Sequence, residues 1–227
     1  MRKILLGTTN PAKADYFAHI LEGYDVSFLT LKDLGIGQIP DEAGNSPLEN
    51  AKAKAAWYGK FWDYVIAADS ALYIRELALD DPRQPGLTVR RRPDGHVMTD
   101  EEAVSHYAAL AHELGGRMTC WYQDGYAVAN HGKVTGFMDD GPINDVYRFY
   151  MVDTPYPGYT PGWPLDSISI RPSTGKYFVE DREAYLSAVD QVLARDFAED
   201  RRRFLVESLE LAEPELYGAS VAPPLRP

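Results

Sequence analysis

The sequence predicts an α/β protein, a β-sheet flanked by helices, and three observations carry that prediction. Short apolar runs alternate with segments of helical period from the first residues onward. One run, Tyr64 to Ala68, is apolar enough for a buried strand and meets Asp69-Ser70 at its carboxyl end, where α/β proteins place ligands. The composition, 45% hydrophobic, 25% charged and 12% aromatic, excludes a disordered, collagen-like or coiled-coil chain. At 227 residues the chain can bury a sizeable core without needing two domains.

Taken in order, Lys3 to Gly7 reads as a strand, Thr8-Thr9-Asn10-Pro11 as a polar loop, and Ala12 onward as a helix with Tyr16, Phe17, Ile20 and Leu21 on its apolar face. Asp25 to Leu29 is a second strand, followed by a connection rich in Gly, Pro and Asn. From Leu48, apolar positions Ala51, Ala55 and Tyr58 mark a helix of about four turns. Tyr64 to Ala68 is a strand that stops at Asp69-Ser70, and Ala78 to Asp100 a long loop turning at Pro93-Asp94-Gly95. Glu101 to Leu114 is a helix; Met118 to Ala129, Lys133 to Met138 and Tyr147 to Val152 are strands; Asp153 to Pro164 is a rigid Pro-rich loop. Ser167 to Arg171 is a short strand and Arg182 to Leu211 a long helix. Residues 1–212 are expected to form one domain, with 213–227 as a tail.

The apolar runs are far shorter than the roughly 20 residues that span a bilayer, which sets aside a membrane protein. Met1-Arg2-Lys3 opens directly into a strand without a signal-peptide pattern, so the expected location is cytoplasmic. One cysteine, Cys120, cannot form an internal disulfide, and no Cys/His zinc spacing occurs, so any metal must be held by oxygen. A formal charge of −11 repels polyanions and sets aside nucleic acid and anionic lipid as partners. Arg90 to Arg92 and Arg201 to Arg203, flanked by acids, read as solvated surface.

The common P-loop, GxGxxG, GxSxG and HExxH motifs are absent. Polar residues at strand ends and helix starts remain. Thr9, Asn10 and Lys13 would put donors and one ammonium at a helix N-terminus, which suits an anion and equally describes an ordinary helix cap. Asp69 reads either as a cap for the following turn or as a metal ligand and base. Glu42 and Glu49 read as solvated charges or ligands, and Lys54, near an apolar stripe, as a snorkelling side chain or a neutralising one.

Together these segments resemble the Ham1/inosine triphosphatase family. Leu6 to Lys13, Glu42 to Ala55, Ile66 to Leu72 and Gln84-Pro85-Gly86-Leu87 follow, in order, the patterns [ST]-G-N-x-x-K, E-T-G-x-T-F-x-E-N-A-x-x-K-A, A-D-D-S-G-L and A-P-G-x-Y-S. Arg171 to Lys176 is similar to the family's F-V-P-x-x-G-K-T turn. The resemblance implies an elongated mixed β-sheet flanked by helices, two lobes with a central cleft, and a homodimer. It implies a Mg²⁺-dependent house-cleaning hydrolase that converts a deaminated or otherwise abnormal nucleoside triphosphate to monophosphate and pyrophosphate. By the same resemblance Thr9, Asn10, Lys13, Ser70 and Lys176 would bind substrate, Lys54 would neutralise it, and Glu42 and Asp69 would hold Mg²⁺. Asp69 would also orient or deprotonate water.

The chain departs from the family at several positions. Ala68 stands where the first Asp of A-D-D-S is expected, Ala71 replaces the Gly of S-G-L, and Thr9 the Gly of [ST]-G-N. Pro161-Gly162-Trp163-Pro164-Leu165-Asp166 keeps the aromatic of F-G-[WY]-D-P but displaces its Asp. No histidine follows His131, so the base-reading S-H-R is missing. An altered base preference is therefore expected, with Trp163 either stacking on a base or filling a loop. The competing class is a nucleotide-binding module without catalysis, or a hydrolase of another phosphorylated substrate at the same phosphate site.

Overall fold

The computed structural model describes residues 1–92, 94–139, 142–159, 163–180 and 188–213. Among these, seven strands form one mixed sheet: β1 (Arg2–Leu6), β2 (Val26–Leu29), β3 (Tyr64–Ile74), β4 (Arg117–Asn130), β5 (Lys133–Met138), β6 (Phe149–Val152) and β7 (Ser169–Ile170). Five helices accompany them: α1 (Pro11–Ile20), α2 (Pro47–Tyr58), α3 (Asp100–Glu113), α4 (Pro142–Val146) and α5 (Ala188–Ser208). The strand order is β2-β1-β3-β4-β6-β7, with β5 also on β4. β1 pairs in parallel with β2 and β3, whereas β4 is antiparallel to β5 and β6. The expected α/β fold with a mixed sheet is the observed one. Among the described residues no helix is long and apolar enough to cross a membrane.

The chain divides into two compact units. The first comprises residues 1–70, 124–139 and 192 onward, and the second residues 71–123 and 140–191. In the first unit, Ile4, Leu6, Phe17, Ile20, Ile66, Val128 and Leu205 form one buried cluster, and Leu5, Ala51, Ala55, Tyr58, Val65 and Ala127 another. β1 and the first half of β3 are apolar on both faces because each face is covered, as the continuous apolar runs require. The second unit packs Leu72, Ile74, Tyr107, Leu110, Met118, Phe149 and Ile168. Each such Leu, Ile or Phe contributes about 1.5–3 kcal/mol on burial.

Several elements differ from the sequence reading. β3 does not stop at Ala68 but runs through Asp69-Ser70 to Ile74. Buried Ala71, Leu72 and Ile74 resume the apolar pattern, and Leu72 exchanges two 2.9 Å backbone hydrogen bonds with Gly86. α2 has 12 residues, slightly over three turns. Unforeseen α4 delays β6 to Phe149, and Ser167 belongs to a short 3-10 turn, Pro164–Ser167, in which its hydroxyl donates to the Pro164 carbonyl at 2.7 Å.

Arg201 is not solvated: it is 1% exposed and paired with Asp139, so this part of the basic run is interior. The α5 start expected at Arg182, the Pro161-Gly162 part of the aromatic motif, Pro93 and the tail from Pro214 lie outside the described residues.

Candidate functional site

The first unit carries the candidate site. β1 ends at Leu6 and the chain passes close to its neighbours at Gly7, whose N–H donates to the Ile66 carbonyl at 2.8 Å. A Cβ there would come within 2.8 Å of the Tyr58 ring, so a bare backbone is required. The exposed Asn10 donates its N–H to Thr8 Oγ1 at 3.0 Å, and its carbonyl accepts the first helical hydrogen bond from Ala14 at 3.3 Å. α1 has no acidic residue in its first turn, leaving the positive end of the helix dipole uncompensated by its own side chains. Thr9, also exposed, precedes it.

Lys13, half-buried in the first turns of α1, has its ammonium pushed below the usual lysine value, chiefly by removal from water. The charges of Asp124, Asp69 and Glu42 oppose that shift, and Lys54 adds to it. Lys13 is therefore electrostatic neighbour to the three acidic residues and the other lysine.

The second element is α2. Ser46 caps it by accepting from the Glu49 N–H at 3.2 Å, while Glu49 accepts from the Asn45 N–H at 2.7 Å. Glu49 thus serves the helix start and stays exposed. One turn further, Asn50 is 2% exposed; it donates Nδ2–H to Asp69 Oδ2 at 2.8 Å and accepts from the Gly44 N–H at 2.9 Å. Another turn on, Lys54 Nζ lies 2.9 Å from Asp69 Oδ1 and 2.5 Å from Glu42 Oε1. Removal from water lowers the Lys54 pKa, but hydrogen bonds to Glu42 and Asp69 and their charges outweigh it and hold the ammonium above its usual value.

Glu42, Lys54 and Asp69, foreseen from separate segments, therefore meet, and Lys13 belongs to the same electrostatic group. Asp69 is not a cap at a strand end; it projects from the middle of β3. Ser70, its neighbour in β3, is half-buried. Trp163 and Lys176 belong to the second unit. Trp163 is half-buried ahead of the 3-10 turn, and Lys176 is exposed in a turn closed by an Arg171 N–H to Lys176 carbonyl bond at 3.0 Å.

Sequence reasoning missed Asn50 and Asp124. Asn50 lay inside a matched motif, and its position between Glu49 and Lys54 on the face of Ala51 and Ala55 was the available signal. Asp124 sits inside the Met118 to Ala129 segment that reads as a strand; its Oδ2 accepts from the Tyr126 hydroxyl at 3.3 Å, and its carbonyl accepts from the Asp139 N–H at 3.0 Å.

Among the described residues no group of three or more His, Cys, Asp or Glu is gathered as a metal cluster. Glu42 and Asp69 do converge on one ammonium, and a pair of hard carboxylates fits a cation that completes its shell with phosphate oxygens and water.

Comparison with known proteins follows the same lines. A dITP/XTP pyrophosphatase of Thermus thermophilus is 28% identical over 188 residues, covering 78% of this chain and 80% of that protein. One of Thermoanaerobacter pseudethanolicus is 37% identical over 76 residues, 33% of this chain, and the match spans only 38% of that relative's length. The structure of a HAM1 protein from Coxiella burnetii superposes with a TM-score of 0.65 at 19% identity, covering 91% of this chain and 100% of the other, a likeness of fold. The model of the Ham1 family matches residues 4–139, more than half of the chain, and the protein is a member of that family.

Proposed function

We propose that this chain is a nucleoside triphosphate pyrophosphatase acting on deaminated purine nucleotides of the dITP/XTP kind, the activity named for its relatives. The observation that carries the proposal is the convergence of Glu42 and Asp69 on Lys54, beside Lys13 in the first turns of α1. A pure binding module would need the lysines and N–H donors but not a paired carboxylate site, which favours the hydrolase over the non-catalytic reading.

In this reading water is split across the α–β phosphoanhydride bond, giving nucleoside monophosphate, pyrophosphate and a proton. Thr9, Asn10 and the N–H groups at the start of α1 bind the polyphosphate, and Lys13 and Lys54 offset its charge. Asp69, held from two sides, orients the water and receives its proton. Ser70 adds a phosphate contact. Mg²⁺, held by Glu42 and Asp69, would neutralise charge that develops on the leaving pyrophosphate. A ranking of the deaminated bases different from that of S-H-R-bearing relatives and a homodimeric assembly belong to the same proposal.

The test is pyrophosphate release from dITP, XTP, dUTP and the four standard triphosphates, with and without Mg²⁺. Selective release from the deaminated purines is the expected result; release of orthophosphate alone would point to another phosphoryl reaction.

A further inference from the structure

We propose that Asn50 is a positioning residue for this hydrolysis, and the inference rests on that reading of the site: its amide fixes Asp69 and the loop bearing Glu42 in one arrangement. The two partners of Asn50 demand opposite chemistry. The Gly44 N–H needs an oxygen and receives Oδ1 at 2.9 Å; the Asp69 carboxylate needs a donor and receives Nδ2–H at 2.8 Å. Only a primary amide of this length supplies both, so the partners also settle which way the amide faces.

Its grip on each partner is tight. At 2% exposure Asn50 has no room for competing water. A Cβ on Gly44 would fall 2.7 Å from Asn50 Oδ1 and 2.7 Å from the Glu49 Cβ, so this loop lies directly on the first turns of α2. Glu42, two residues earlier, is thereby delivered to Lys54.

Asp69 is gripped on both oxygens, Oδ2 by Asn50 and Oδ1 by Lys54, residues four apart and hence on one face of α2. Lys54 brings charge to the carboxylate. Asn50 brings orientation without charge, so its loss should act on the reacting geometry more than on the attraction of the substrate.

Asn50→Asp separates the two arms, since it keeps an oxygen for Gly44 and replaces the donor to Asp69 by a second acceptor. With Mg²⁺ saturating and dITP as substrate, kcat is expected to fall roughly 10- to 100-fold while KM stays within about threefold. Hydrogen exchange at the Gly44 amide, read by NMR on the metal-free protein, should match wild type. Asn50→Leu should lose kcat similarly and also expose the Gly44 amide to faster exchange.

Wild-type kcat in a folded Asn50→Asp protein, or a loss of activity that only tracks the folded fraction by circular dichroism, would overturn the inference while leaving the hydrolase reading intact. A wild-type protein that releases no pyrophosphate would overturn that reading and this inference with it.

Discussion

Arg201 and Asp139, 62 positions apart, form a two-pronged ion pair in which both side chains are 1% exposed. The guanidinium meets the carboxylate through Nε at 2.9 Å and through Nη2 at 2.8 Å, and lies 5.9 Å from the centre of the Tyr126 ring. The pair ties α5 to the residue that follows β5, directly opposite Asp124 in the hairpin.

Removing one partner leaves the other charged and buried. Arg201→Met should therefore destabilise the protein by about 3–5 kcal/mol, whereas Arg201→Met combined with Asp139→Leu should cost less than the single change. Urea unfolding of both variants measures this, and a double variant weaker than the single would show that the pair itself stabilises the fold.

Lys54 gives a prediction with a definite sign in pH. Its folded pKa lies above the unfolded value of 10.5, so its stabilising contribution is fully present below about pH 10.5 and is lost as pH rises through the higher folded value. Unfolding free energies should show Lys54→Met less stable than wild type at neutral pH, with the gap narrowing in the alkaline range. The same variant should lose about 100-fold or more in kcat/KM, since a charge neutraliser in a partly dry site is removed.

Gly125 lets β4 pass under the start of α2. A Cβ at this position would lie 2.4 Å from the Leu48 nitrogen and 2.5 Å from the Pro47 carbonyl carbon, backbone atoms that cannot swing aside. Gly125→Ala is expected to cost about 1–3 kcal/mol and to displace the helix that holds Asn50 and Lys54, lowering kcat as well as the midpoint of thermal unfolding.

The single cysteine should be inert. Cys120 is fully buried, and removal from water pushes its thiol well above the ordinary range, so little thiolate forms at neutral pH. A chromogenic disulfide reagent should label it only after denaturant is added; rapid labelling of the native protein would contradict the packing.

The extent to which the sequence announced this structure follows the range of the interactions. Strand β5 was legible because hydrophobic period is a local signal, and the meeting of Glu42, Lys54 and Asp69 was implied by the resemblance of their ordered motifs to the Ham1 family. The continuation of β3 was not, because Asp69 looks like a terminator until Asn50 and Lys54 are seen to satisfy it from another element. Arg201 was misread for a similar reason: its partner is Asp139, and nothing within the Arg201-Arg202-Arg203 run distinguishes the buried arginine from the exposed Arg203. Asp124 stayed hidden inside a strand, its relation to Lys13 arising only once α1 and the second half of β4 share a unit.

Product analysis of dITP hydrolysis with Mg²⁺, by the wild-type protein and by Asp69→Asn, which keeps the shape and removes the charge, tests the role of Asp69 directly. One pyrophosphate for each dIMP is expected from the wild type, with a loss of about 100-fold or more in the folded variant. Undiminished pyrophosphate release from Asp69→Asn would remove Asp69 from the reaction.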